Sequence, residues 1–489
     1  MRLVSDTLLD EKRAARRSLL EGQGSPHRPH KAPKSADGSL KLSNISEWEA
    51  SASSPVHTLA RTVLPLSDLS VLQRRSVHVK DSPHVFNTEV EFKTAPIANQ
   101  RQSGRCWLFA STNVLRYPIM KKLNLKEFEL SQSYPYFYDH LNKANYFLEL
   151  AIEDPELPLD SRLFSTLSRD MISDGGQWDM AVNLFETYGV VPQDIYPETV
   201  HTSLSAPMNK LLKTKVREHA LVLRKLAASL KSDNLSKDEL VASLRAKKEE
   251  LMAETYRIIT ATMGLPPKPD EKFVWDYYDK DGKYHKWEGT PVEFYQQFVG
   301  KQPAESFSLI NDPRNPYNTL YTVDKLGNLW GGRPVLYVNT ESEKMSSTVV
   351  KLLKAGQPVF FGCDVLQQED RQRGILDLDL FDFETPFDIK LSLSKAERLA
   401  LGESSMTHAM VFTGVHLDEN GKPLRYKVEN AWGTNIGKEG WFVMTQEWFE
   451  QFVYQVVVPK SFAPKELVKV LEAGNPTVLP AWDPMGALA

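Results

Sequence analysis

The sequence predicts an α+β fold. The first half carries apolar residues at helical spacing, and from about residue 355 the pattern changes to short β-branched and aromatic runs separated by turn residues. Helices followed by strands, without alternation, exclude a repeating βαβ plan and leave segregated helical and sheet parts. The 489 residues, 41% apolar and 25% charged, are ordinary for a globular chain and exclude global disorder.

In chain order, residues 1–41 read as a disordered basic tail. The stretch GQGSPHRPHKAPKSADGS has almost no large apolar side chain and cannot offset its own ordering entropy. Structure is expected to begin near Asn44-Ile45-Ser46. After Gly104 the run CWLFASTNVL reads as a buried helix, ended or kinked at Pro118, whose ring removes a hydrogen bond and crowds the preceding turn.

Residues 201–265 form a helical insertion. Leu212, Val216, Leu223, Leu226 and Leu230 share one face, as do Leu240, Leu244, Leu251 and Ile258. Ser236 and Glu239 form a capping box at the start of the second helix. Between 201 and 260 there are 12 Lys+Arg against 7 Asp+Glu, a local net of +5 that is either a solvated face or an attractor of acidic polymers.

The block 266–479 holds the β-rich part: PVFFGCDV, HAMVFTGVHL, LRYKVEN, GWFVMT and VYQVVVP, read as an antiparallel sheet or small barrel. Asn420-Gly421 is the hairpin turn between the second and third of these runs. Residues 480–489 are a separate C-terminal segment, unusually apolar for a chain end.

Several function classes are excluded early. Lys+Arg number 59 against 63 Asp+Glu, a net of −4, so global charge does not mark a nucleic-acid binder, and no apolar run reaches membrane-span length. Two cysteines, Cys106 and Cys363, cannot make a disulfide framework, which makes a reducing compartment the default. The Arg-rich start MRLVSDTLLDEKRAARRSLL lacks the apolar core of a secretory signal, and Asp6, Asp10 and Glu11 weaken a mitochondrial reading. No CxxC, HExxH or carboxylate cluster calls for a metal, and no GK[ST] loop for a nucleotide, so no cofactor is expected.

The chemistry centres on Cys106. A cysteine that opens a helix meets free N–H groups and the helix dipole, which favour a thiolate. By itself it could equally be a small buried hydrophobe. A nucleophile also needs a base, and the base an orienting partner. His408 starts a strand and Asn430 ends the next, with Gln100 six residues before the cysteine and Trp432 two after the asparagine. Each alone has a structural explanation; the ordered set is hard to obtain by chance. Cys363, in PVFFGCDV, reads as a core thiol. His416 should share the face of His408, being an even number of residues away, yet it is not a catalytic candidate.

QRQSGRCWLFA, MTHAMVFTGV and ENAWGTNIGKEGWFVMT resemble the Cys, His and Asn segments of papain-like cysteine proteases. The gap of 302 residues from Cys106 to His408, then 22 to Asn430, resembles the longer intracellular branch, bleomycin hydrolase, and its fungal type. LNLKEFELSQSY, KANYFLE, DSRLF, SLINDPRNPY and LPAWDPMGALA agree with that branch, and the resemblance spans about residues 42–489. The cysteine that lysosomal relatives carry just before the nucleophile, used there in a disulfide, is absent; Ser103-Gly104-Arg105 stand there instead.

The resemblance implies a papain-like two-lobed fold: a helical lobe with the nucleophile over 42–200, the insertion at 201–265, and a β-rich lobe with His408 and Asn430, plus an oligomerisation arm. It implies that Cys106 is the nucleophile, His408 its base and then the acid for the leaving amine, Asn430 the orienting group, and Gln100 an oxyanion donor. It further implies that Trp432 shields the His408–Asn430 bond, although it reads equally as a plain core aromatic, and that Gly175 and Gly176, in Asp174-Gly175-Gly176-Gln177, line the substrate cleft, although a bare Gly-Gly is usually an ordinary turn. The implied activity is a cytoplasmic cysteine aminopeptidase acting on peptides with a free N-terminus, as a homohexamer, with a mitochondrial fraction left open. Residues 480–489 are expected in the cleft, where the carboxylate of Ala489 meets the substrate ammonium. Three alternatives stay open: nucleic-acid binding through the tail and insertion, a scaffold with a dead site, and thiol acyl transfer.

Overall fold

The structure, a computed structural model, describes residues 38–78, 83–91, 95–231 and 235–488. Nearly all of the expected tail, and Ala489, lie outside them. The described chain divides into two units, residues 38–71 with 383–390, and residues 72–382 with 391–488.

The smaller unit contains two helices, Leu42–Ser51 and Pro55–Val63. Ser54 caps the second by accepting the His57 N–H, and Pro55 suits its first turn, where no N–H is needed. Neither helix buries a residue, although Leu42, Trp48 and Leu59 are each more than half exposed.

In the larger unit, helices Cys106–Leu123, Ser133–Glu153 and Trp178–Tyr188 surround one hydrophobic core. The insertion adds helices Ala206–Leu230 and Lys237–Met263, which turn Leu212, Val216, Leu223, Leu244 and Leu251 into that core. The Ser236–Glu239 capping box forms in both directions, satisfying two N–H groups that a helix start leaves without partners.

The five expected β runs are all strands. With Ser306–Ile310 they make an antiparallel series in the order 306–310, 453–459, 359–363, 408–417, 423–429 and 441–445. Parallel pairs flank it, Tyr337–Asn339 on Ser306–Ile310 and Ile375–Leu376 on Trp441–Thr445. Gly421 takes φ +78° in the expected hairpin turn, a conformation costly for any residue with a Cβ. Cys363 is fully buried in the sheet core, as expected of a structural thiol.

Two expectations need correction. Of the end or kink expected at Pro118, the end does not occur: the helix runs to Leu123 and stops at Asn124, which is left-handed at φ 56°. Most of this helix is buried, and that burial outweighs the ~3 kcal/mol cost of an interior proline. His416 loses the parity argument that placed it beside His408, because the register slips between Phe412 and Gly414, and a bulge breaks the two-residue alternation. The sequence reading also missed the hairpin Phe273–Tyr278 with Tyr284–Gly289, whose charged alternate positions hid its aromatic face.

Candidate active site

Cys106 is the first residue of its helix and is 3% exposed. Its thiol lies against the backbone N–H of Ala409, the neighbour of His408. Burial pushes the thiol up to about 11, although the N–H groups of Ala409, Trp107 and Cys106 itself pull the other way. This reverses the expectation from the helix start alone: desolvation of a closed site exceeds what the helix terminus supplies.

His408 opens the strand beside Val359–Cys363, paired across from Cys363. Its Nε2 donates to Asn430 Oδ1 at 2.9 Å, and both residues are buried. That bond commits the proton to Nε2 and leaves Nδ1 as the basic nitrogen. Burial lowers the imidazole to about 4; the Asn430 bond opposes this, and the Arg371 cation adds to it. Asn430 Oδ1 also accepts the Ala431 N–H at 2.8 Å, so the amide oxygen is held from two sides. Trp432 lies 4.8 Å from the His408 ring, and the Arg371 guanidinium covers the tryptophan at 4.1 Å.

Because the imidazole is held neutral well below its usual range, the base form survives into acid. Activity per substrate, kcat/KM, is expected to hold as pH falls through 6.5 and to fail only near about 4. An acid limb at or above 6.5 in the pH profile contradicts this.

Gln100 is tied to the same loop. Its N–H donates to Ala431 O at 2.8 Å, while Asn99 bridges Trp432. Its side-chain amide donates to Ser103 O at 2.8 Å, and the second amide hydrogen remains for a ligand. The fold thus brings Gln100, Cys106, His408, Asn430 and Trp432 to one place from segments some 300 residues apart in sequence.

The glycine pair has a steric reason at each position. A Cβ on Gly176 would stand 2.5 Å from the Trp107 ring, and one on Gly175 would stand 2.7 Å from Leu488 O. The C-terminal segment therefore lies on the Gly175 backbone, and Gln177 Nε2 donates to Ala487 O at 2.6 Å. The segment is anchored further back. Met485 is 1% exposed, Arg314 pairs with Asp483 at 2.8 Å, and Arg162 covers Trp482 at 4.3 Å. Ala489, expected to meet the substrate ammonium, is outside the described residues.

Residues that carry this geometry escaped the sequence reading. Asp174 accepts the Gly104 N–H at 2.9 Å, and hydroxyls of Tyr136 and Ser205 and the Asn209 amide at 2.5 Å each. Burial opposes its ionisation, but His140, Ser205, Tyr136 and the Gly104 N–H hold it at about 2. It thus joins the loop before Cys106 to the cleft glycines. Lys143 clamps the same stretch through Ser173 O and Gly175 O. Arg116, within the Cys106 helix, is bonded to Glu429, the residue before Asn430, at 2.5 Å. A lone charge in the run from Cys106 to Met120 was the available signal for Arg116. Among the described residues, no group of His, Cys, Asp and Glu could hold a metal, and no helix is long and apolar enough to cross a membrane.

A family model described as the Peptidase C1-like family matches residues 39–486. The chain is 43% identical over 464 residues to "Cysteine proteinase 1, mitochondrial" of Saccharomyces cerevisiae, covering 93% of this chain and 94% of that protein. It is 41% identical over 447 residues to bleomycin hydrolase of Homo sapiens, covering 89% and 96%. The crystal structure of PepW from Lactobacillus rhamnosis superposes with a TM-score of 0.87 at 41% identity, over 92% of this chain and all of that one.

Proposed function

We propose, for a chain that belongs to the papain-like C1 peptidase family and to its bleomycin hydrolase branch, that this cysteine-type peptidase removes residues from free peptide N-termini through a thioester on Cys106. Its fold is the α+β, two-lobed papain-like architecture. The observation that carries the mechanism is the buried His408–Asn430 bond, with the Cys106 thiol against the adjoining Ala409 N–H.

Cys106 Sγ attacks the first peptide carbonyl as His408 Nδ1 takes the thiol proton. The thiolate and imidazolium so formed stabilise each other in a site that penalises either charge alone. The Cys106 N–H and the Gln100 amide donate to the oxyanion. His408 returns the proton to the leaving amine, the C–N bond breaks, and a thioester remains. Water, deprotonated by His408, then releases the acid and restores the thiol. Asn430 orients the imidazole throughout, and Trp432 with Arg371 keeps water from the His408–Asn430 bond.

The C-terminal segment is the ruler in this reading. Lying on Gly175, it fills the path an extended peptide needs beyond its first residue, and the Ala489 carboxylate receives the substrate ammonium. That charge pair counts for more in a poorly hydrated cleft than on an open surface. Deleting residues 486–489 is expected to open the site to N-acetylated peptides and internal bonds while hydrolysis continues. A truncated enzyme that still rejects N-acetylated peptides contradicts the ruler.

The smaller unit supports assembly into a homohexamer, since its exposed Leu42, Trp48 and Leu59 suit contact with other copies. The two buried, unpaired cysteines suit a reducing compartment, the cytoplasm; the mitochondrial label belongs to the yeast relative. Nucleic-acid binding through the insertion is the weaker reading, because Arg245 and Lys248 pair with Glu149, Lys215 with Glu254, Lys247 with Glu250 and Lys231 with Glu156.

A further inference from the structure

A cavity of about 790 Å³ opens beside the site, bounded by Gln100 and Trp432 at one end and by the start of the Ala206–Leu230 helix at the other. Its lining is strongly one-signed. Arg101, Lys210, Lys213, Arg217 and Arg371 face it, against a single carboxylate, Asp174. Asp174 is already saturated by the four donors described above. Lys213 is paired with Asp170 at 3.5 Å, and Arg217 donates to Ser168 O at 2.7 Å. Arg101 and Lys210 have no carboxylate in an ion pair among the described residues, Arg371 has Glu369 as its charged neighbour, and all three cations are exposed.

The position of this cavity gives the charge a direction. The acyl side, beyond the first substrate residue, is occupied by Ala487 and Leu488 on Gln177 and Gly175. The open space instead begins at Trp432, against the His408 ring that delivers the proton to the departing amine. A leaving chain that passes Trp432 enters this cavity, which also reaches Ser173 and Asp174 beside the cleft glycines.

We propose that the cationic wall formed by Arg101, Lys210 and Arg371 is a subsite for a carboxylate on the leaving peptide, so that the enzyme prefers substrates with an acidic group one or two residues after the scissile bond. The carboxylate can be an Asp or Glu side chain or the terminal carboxylate of a di- or tripeptide. This rests on the aminopeptidase reading above and adds to it a substrate class. Opposite charges meeting across a partly solvated cleft attract modestly and are screened by salt, so the preference is electrostatic and salt-sensitive.

The test compares three tripeptides that share an accepted N-terminal residue and a third residue: Gln second with an amidated end, Glu second with an amidated end, and Gln second with a free end. Release of the first residue by the full-length enzyme is followed at low and high ionic strength. The Glu peptide is expected to exceed the neutral one by about fivefold in kcat/KM at low salt, the contrast shrinking in ~0.5 M salt. A free-end peptide that matches the Glu peptide assigns the terminal carboxylate to the same wall; one that matches the neutral peptide confines the subsite to side chains. In the double variant Arg101→Gln, Lys210→Gln, the Glu-to-Gln ratio is expected to approach one. Equal cleavage of all three peptides at low salt, or a ratio unmoved by the double variant, overturns the subsite and leaves the aminopeptidase standing. Cleavage of none overturns the aminopeptidase reading, and the subsite with it.

Discussion

Cys106→Ala is expected to abolish peptide hydrolysis, with a fall in kcat of order ~10⁴ or more. The loss is this large because the thiol forms the covalent bond, and no other group at the site can replace it. Gln100 and the backbone N–H groups can still receive an oxyanion, but nothing generates one. Neither Ser103 nor Ser205 takes over: Ser103 donates to Gln100 O at 2.7 Å and Ser205 to Asp174. The fold should survive, since one sulfur removed from a helix start costs about 1 kcal/mol of buried surface. Purified variant that is folded by circular dichroism yet keeps more than a small fraction of activity refutes Cys106 as the nucleophile.

Removing Glu429 is expected to have the largest effect on stability. Arg116 and Glu429 are both fully buried, and the pair ties the Cys106 helix to the strand end that presents Asn430. Arg116 donates as well to Pro96 O at 2.8 Å, so the guanidinium cannot follow its charge to water without undoing other contacts. Glu429→Ala leaves an uncompensated buried cation and should cost about 3–5 kcal/mol. The double variant Arg116→Met, Glu429→Leu removes both charges and should recover much of that loss. Denaturant unfolding of the three proteins measures this. A single variant within about 1 kcal/mol of the parent, or a double variant worse than the single, contradicts the account.

The local parts of the site were legible in the sequence. A glycine before a buried helical run located the start of the Cys106 helix, and the β-rich apolar run from His408, bounded by turn residues, located its strand. The amphipathic spacing of Leu212, Val216 and Leu223 likewise marked the buried face of the insertion. What stayed hidden depends on partners far apart in the chain. Arg116 and Glu429 are separated by 313 residues, and nothing local to either names the other. Asp174 read as one letter of a glycine motif, although its side chain gathers four donors from three segments. The rise of the Cys106 thiol was hidden too: the helix start is written in the sequence, but the burial that opposes it is a property of the folded core. Pro118 misled because local propensity was compared with nothing, whereas the folded helix has packing on most of its residues.

An aminopeptidase that works through Cys106 and measures from a free amino terminus must distinguish a peptide from its N-acetylated form. The most direct test is steady-state hydrolysis, by the intact protein, of one peptide in two forms, with a free N-terminus and N-acetylated. Stepwise release of the first residue from the free peptide, with essentially no cleavage of the acetylated one, is the expected result. Comparable cleavage of both, or cleavage only at internal bonds, would contradict it.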